Sequence, residues 1–272
     1  MRGHPSGAHP GLMSRFSHAV RSPEPIEEKG TPAYLAEFLG TLVLVLAITG
    51  LVSASAVAGL SLTNLALVHA LALMGIVYSV GSISGAHVNP AVTLGLLTIR
   101  KITGRDAGIY IVMQLLGGLA GAFLAKAFFL GRGALVNYGT PGISDRYLQG
   151  GSVGLAFLAE AIGAFLIVWA VMGTAVNPTA PKGVAGAAIG GSLALGVLIF
   201  GPATGASFNP ARWFGPALAS GTWTDAWMYI LAPIVGGIAA ALSYRMIMEM
   251  SQIPAQTARR GESVEQPPIA AG

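Results

Sequence analysis

The sequence predicts an all-α membrane protein with six transmembrane helices plus two half-membrane helices in an inverted repeat. Three observations carry that expectation. The 272 residues are 53% hydrophobic and 10% charged, with a mean hydropathy of +0.67, against roughly 25% charged residues in an ordinary soluble domain. Six apolar runs are long enough to cross a bilayer core, which needs about 20 mainly apolar residues per helix. The two halves of the chain also repeat one another in register.

In chain order, Met1 to Thr31 mixes Gly, Pro, Ser, His and both charge signs and reads as a disordered tail. Its basic residues are not followed by a short apolar segment, so the first span, not a secretory signal, is the expected membrane address. His4, His9 and His18 are too irregularly spaced for a metal cluster. The spans follow at Tyr34 to Ala54, Leu62 to Val80, Ala107 to Leu130, Val153 to Thr174, Val184 to Phe200 and Thr224 to Met248. Val88 to Leu97 and Phe208 to Ala219 are apolar but too short to cross. Each opens with Asn-Pro-Ala after one apolar residue. Proline has a fixed φ and no amide hydrogen, so it suits the first helical turn. Asn89 and Asn209 then become N-caps. Ser251 to Gly272 is again polar. Residues 32–250 are thus expected to form a single membrane domain, with repeat one at about 32–130 and repeat two at about 152–250, flanked by tails at 1–31 and 251–272.

The repeat is visible in three pairs. AEFLGTLVLVLAITG from Ala36 matches AEAIGAFLIVWAVMG from Ala159; SGAHVNPAVT from Ser84 matches TGASFNPARW from Thr204; YIVMQLLGGLAGA from Tyr110 matches YILAPIVGGIAAA from Tyr229. With three spans per half, the second copy enters the membrane from the opposite side, and interrupted segments in such repeats mark a solute path. The irregular stretches Gly81 to Val88 and Gly201 to Phe208 must then line a cavity, because lipid tolerates no unpaired backbone polar groups. Glycines such as Gly117, Gly118, Gly121, Gly236 and Gly237 fall on span faces and read as packing seams.

Charge and composition narrow the function. With no cysteine there is no disulfide framework and no thiolate site. The net charge of +4 sits in tails and loops, where it orients a membrane protein and requires no nucleic-acid partner. Eleven of the fifteen basic residues fall on the side of both termini. The positive-inside bias therefore puts both termini in the cytoplasm, in the plasma (inner) membrane.

The two Asn-Pro-Ala boxes, Asn89-Pro90-Ala91 and Asn209-Pro210-Ala211, within paired three-helix repeats resemble the major intrinsic protein family of aquaporins and aquaglyceroporins, over roughly Thr31 to Met248. The resemblance implies an aquaporin-like fold and a homotetramer. Opposed half-helices would bring two positive dipole ends and two side-chain amides to one spot, which repels cations and hinders proton hopping. Arg212, three residues after Asn209, is costly in a membrane unless it faces water or partners. By resemblance it belongs to the narrow outer filter, together with His69, Val197 and Ala206. That set is most similar to the tonoplast intrinsic proteins of plants, whose members pass water and often ammonia, urea or hydrogen peroxide. Trp213 and Ala217 stand where glycerol facilitators carry an Asp and a basic residue, which argues against a dedicated glycerol channel. Trp213 is expected to anchor the chain at the interface. Glu37 and Glu160 hold equivalent repeat positions and are expected, with His87, to brace the loops by accepting amide hydrogens rather than to relay protons.

The expectation is a passive channel for water, with ammonia, urea, hydrogen peroxide or glycerol as further solutes, excluding ions and protons. Its partners are those solutes and the lipid bilayer; no cofactor, metal or catalytic residue is expected. An ion-coupled secondary transporter could also use inverted repeats and broken helices, but no carboxylate lies at the broken segments. An intramembrane hydrolase would need a nucleophile and base together.

Overall fold

The computed structural model describes residues 28–260. Most of the N-terminal tail, with His4, His9 and His18, and the end of the C-terminal tail lie outside the described residues. The described residues form α1 (Thr31–Ala58), α2 (Leu62–Ser84), α3 (Pro90–Thr98), α4 (Gly104–Ala134), α5 (Val153–Val171), α6 (Ala185–Thr204), α7 (Pro210–Ser220) and α8 (Ala226–Arg260), and contain no β-strand. All but α3 and α7 are long and apolar enough to cross a membrane.

Local chemistry sets the ends. Behind Gly30, α1 starts with Pro32 in its first turn, and α2 starts with a reciprocal box in which Ser61 and Asn64 cap each other's amides. Helices α2 and α6 run on to Ser84 and Thr204, so the irregular stretches are shorter than the sequence suggested. Gly81 and Gly201 stay helical, their carbonyls each accepting an amide at 2.9 Å from Gly85 and Gly205. Those two residues, at φ 90° and 78°, make the left-handed caps that glycine adopts without a Cβ penalty. Helix α8 continues to Arg260, into the segment read as tail.

Within repeat one α1 packs on α2 and α4, and within repeat two α5 packs on α6 and α8; α2 meets α6 between the repeats. The half-helices are exchanged. Helix α3 packs on α8, and α7 packs on α4. Glycine makes this possible: a Cβ on Gly118 would meet the Ala211 carbonyl at 2.5 Å, and one on Gly237 the Ala91 carbonyl at 2.6 Å. Close backbone approach at small residues is the usual way helices associate where lipid supplies no hydrophobic drive between them. Large side chains such as Leu39, Val43, Phe128 and Leu231 face outward, as a lipid-solvated surface requires.

Candidate pore

Asn89 and Asn209 cap α3 and α7. Their Oδ1 atoms accept the Ala91 and Ala211 amides at 2.9 Å, and Asn209 also accepts the Arg212 amide at 3.3 Å. Pro90 and Pro210 take the first helical position. Each asparagine also reaches across the repeat: Asn89 Nδ2 donates to the Phe208 carbonyl at 3.0 Å, and Asn209 Nδ2 to the Val88 carbonyl at 2.9 Å. An amide NH₂ carries two hydrogens, so one stays available on each. Both asparagines line one central cavity.

Two buried carboxylates hold the loops before the boxes. Glu37 accepts the Ser84 hydroxyl (2.6 Å), the His87 amide (2.9 Å), the Val88 amide (2.7 Å) and Gln114 Nε2 (2.7 Å). Glu160 accepts the Thr204 hydroxyl (2.7 Å), the Ser207 amide (3.0 Å) and the Phe208 amide (2.7 Å). Both are fully buried, an arrangement that a carboxylate tolerates only with such converging donors. These bonds fix an unusual backbone. Ala86, Val88, Ala206 and Phe208 sit at φ 48°, 41°, 48° and 51°, a left-handed region costing L-residues roughly 1–2 kcal/mol each. Among the described residues the carbonyls of Ala86 and His87 accept no hydrogen bond, while Ala86, His87 and Val88 line the cavity. His87 also places its ring Nδ1 3.1 Å from Thr93 Oγ1.

The central cavity has a volume of about 20 Å³, where one water needs roughly 10–15 Å³, so it takes about one water at a time. A wider outer cavity of about 180 Å³ opens beyond it. His69 and Arg212 line both cavities and so form the neck between them. Arg212 is 3% exposed; its Nη1 donates to the Gly139 carbonyl at 2.8 Å, and its Nε has no protein partner. His69 Nδ1 lies 2.7 Å from the Leu65 carbonyl. A carbonyl only accepts, so Nδ1 carries the proton and, in the neutral ring, Nε2 is an acceptor. That Nε2 is buried and without a protein partner. Val197 lines the outer cavity. Ala206 lines neither; its methyl is packed in the core, and the chain passes the neck there, with Gly205 on the outer side and Ser207 on the inner.

Several contributors were not singled out in the sequence. Tyr110 and Tyr229 donate their hydroxyls to the Ser84 and Thr204 carbonyls at 2.8 and 2.7 Å, tying α4 and α8 to the last residues of α2 and α6. The signal was present, since these four residues open the second and third matched pairs of the repeat. Gln114 and Gly139 have no counterpart of that kind. Gln114 bridges Glu37 and Thr93. Trp213 is not the interfacial anchor expected of it. It is fully buried, stacked on Tyr229 at 5.9 Å and edge-on to Trp223 at 5.6 Å, because it points from α7 toward α8 and away from both the pore and the lipid.

Comparison with known proteins agrees with this architecture. The family described as Major intrinsic protein matches residues 27–244. The chain is 39% identical over 215 residues to Aquaporin NIP1-1 of Zea mays, covering 78% of this chain and 73% of that protein. It is 36% identical over 249 residues to Aquaporin AqpM of Methanothermobacter marburgensis, covering 80% and 97%. The X-ray structure of the aquaglyceroporin from Plasmodium falciparum shares the fold with a TM-score of 0.69, at 24% identity over 78% of this chain and 94% of that one. From a family match spanning both repeats and from relatives aligned along most of their length, the chain belongs to the Major intrinsic protein family.

Proposed function

We propose that this chain conducts water, with small neutral solutes as secondary cargo, through the single-file path between α3 and α7. It is a passive multi-pass membrane channel and not an enzyme. The observation that carries the reading is the neck, where the two cavities meet at His69 and Arg212. An unpartnered donor, Arg212 Nε, and an unpartnered acceptor, His69 Nε2, suit a molecule that both gives and takes hydrogen bonds. The fixed guanidinium deters cations. Deeper in, the remaining amide hydrogens of Asn89 and Asn209 turn a water's oxygen toward them, which breaks the donor-to-acceptor chain that proton hopping needs.

Val197 is small and lines the outer cavity, which leaves room for solutes broader than water on the approach to the neck; ammonia and urea fit the donor–acceptor pair, and glycerol is the poorer candidate. In this reading residues 32–250 are one channel domain between tails 1–31 and 251–272. Both termini are cytoplasmic in the plasma membrane, and four copies assemble. Stopped-flow light scattering on proteoliposomes, comparing water, glycerol, urea and ammonia, tests the solute order. Water fastest, with flux indifferent to proton or sodium gradients, supports the proposal. Accumulation of any solute against its gradient contradicts it.

A further inference from the structure

On the face where α3, α5 and α8 end, and sharing no lining residue with the pore cavities, lies a hollow of about 900 Å³ lined by Arg100, Lys101, Asn177, Tyr244 and Arg245. Its size is that of a small-molecule site. Three elements supply it: the turn after α3, the π-helical turn Met172–Val176 that ends α5, and the last apolar turns of α8. A π turn is rare and is found disproportionately at functional sites.

The charge is one-sided. Arg245 pairs at 2.6 Å with Glu249 on the same helix, while Arg100 and Lys101 make no ion pair among the described residues. Two cations at the C-terminus of α3 could simply complement its dipole. The left-handed backbone at Arg100, φ 59°, belongs to the cap that ends α3, but neither the cap nor the dipole accounts for the convergence of Arg245 from α8. The turn's amides are already used, Arg100 N–H donating to the Leu97 carbonyl and Lys101 N–H to the Leu96 carbonyl, so the side chains are the groups left for a ligand. Asn177 Nδ2, held 3.3 Å from the Tyr244 hydroxyl, adds neutral donors. Trp169 stands edge-on to Tyr244 at 5.2 Å. An amphipathic ring at the end of a span is typical of headgroup depth.

We propose that this hollow binds a phosphate-bearing anion, presented by an anionic phospholipid at the membrane surface or as free phosphate. The Arg100 guanidinium, the Lys101 ammonium and the Arg245 donors left over from the Glu249 pair suit phosphate oxygens in charge and donor type, and basic pockets between spans are built to take lipid headgroups. None of these side chains lines the pore cavities, so the site stands or falls independently of what the channel passes.

The test measures the thermal unfolding midpoint of the full chain in neutral detergent, titrated separately with dioctanoyl phosphatidylglycerol, dioctanoyl phosphatidylcholine and inorganic phosphate at constant ionic strength. Phosphatidylglycerol is expected to raise the midpoint saturably, by about 5 °C near saturation, with phosphatidylcholine inert. A rise with phosphatidylglycerol alone assigns the site to lipid; a rise with phosphate as well, or with phosphate alone, assigns it to the free anion. In either case Arg100→Gln/Lys101→Gln/Arg245→Gln abolishes the rise, whereas Arg132→Gln/Arg146→Gln on the opposite face preserves it. Water flux in vesicles certifies that both variants fold; should the triple variant not fold, the exposed Lys101→Gln alone is expected to weaken apparent affinity severalfold. No saturable rise with either anion, or a rise that survives these pocket substitutions, overturns the proposal.

Discussion

Arg212 is held by one turn of backbone. Its Nη1 bond goes to the carbonyl of Gly139, a residue at φ 68° whose Cβ, if it had one, would lie 3.0 Å from Val52. Gly139→Val is therefore expected to shift the guanidinium and change the water-to-glycerol permeability ratio without abolishing folding; an unaltered ratio with intact protein contradicts that linkage. Arg212→Val removes both the charge and the bulk, and should admit glycerol severalfold faster relative to water in the same light-scattering assay. The carboxylates answer to stability instead. Glu160→Ala strands one hydroxyl and two amides, each costing about 1–3 kcal/mol when buried and unpaired, so a drop of many degrees in unfolding midpoint or a loss of folded yield is expected. Residues of this kind were legible where the repeat doubled them: Asn89 with Asn209, Glu37 with Glu160. Gly139 and Gln114 were not, because their partners lie in loops or on helices that no local pattern connects.

Among the elements, the seams set the tolerances. Helix α8 meets α5 so closely at Gly236 that an added Cβ would collide with the Ala161 backbone, which cannot move aside as a side chain could. Gly236→Ala should accordingly destabilise the fold by several degrees. Gly191, on the outer face of α6 with nothing within 4 Å of its missing Cβ, is the control: Gly191→Ala should be neutral or gain up to about 1 kcal/mol from helix propensity. Equal midpoints for the two variants would contradict the close approach. The spans were readable because apolar runs of that length have few alternatives in a bilayer. Their ends were not, since caps depend on which of several glycines takes positive φ: Gly81 and Gly85 look alike in sequence, yet only Gly85 does so. Trp213 was misplaced for a related reason. A tryptophan beside a half-helix suits either a membrane interface or a helix–helix core, and only the packing of α7 between α4 and α8 decides.

At the scale of the molecule, the inverted repeat explains why the half-helices are exchanged. Each half-helix packs on the third span of the other repeat, so neither copy completes a path alone, and the asparagine amides bond across the boundary. This crossing is the centre of the account, because it sets two positive helix ends and two free amide hydrogens against one file of solute. Water and proton flux recorded together in the same proteoliposomes, by light scattering and an internal pH dye under an imposed pH gradient, test it most directly. The account predicts osmotic shrinkage well above that of protein-free vesicles with proton leakage no greater than theirs. Protons moving along with the water, or shrinkage no faster than bare lipid, would contradict it.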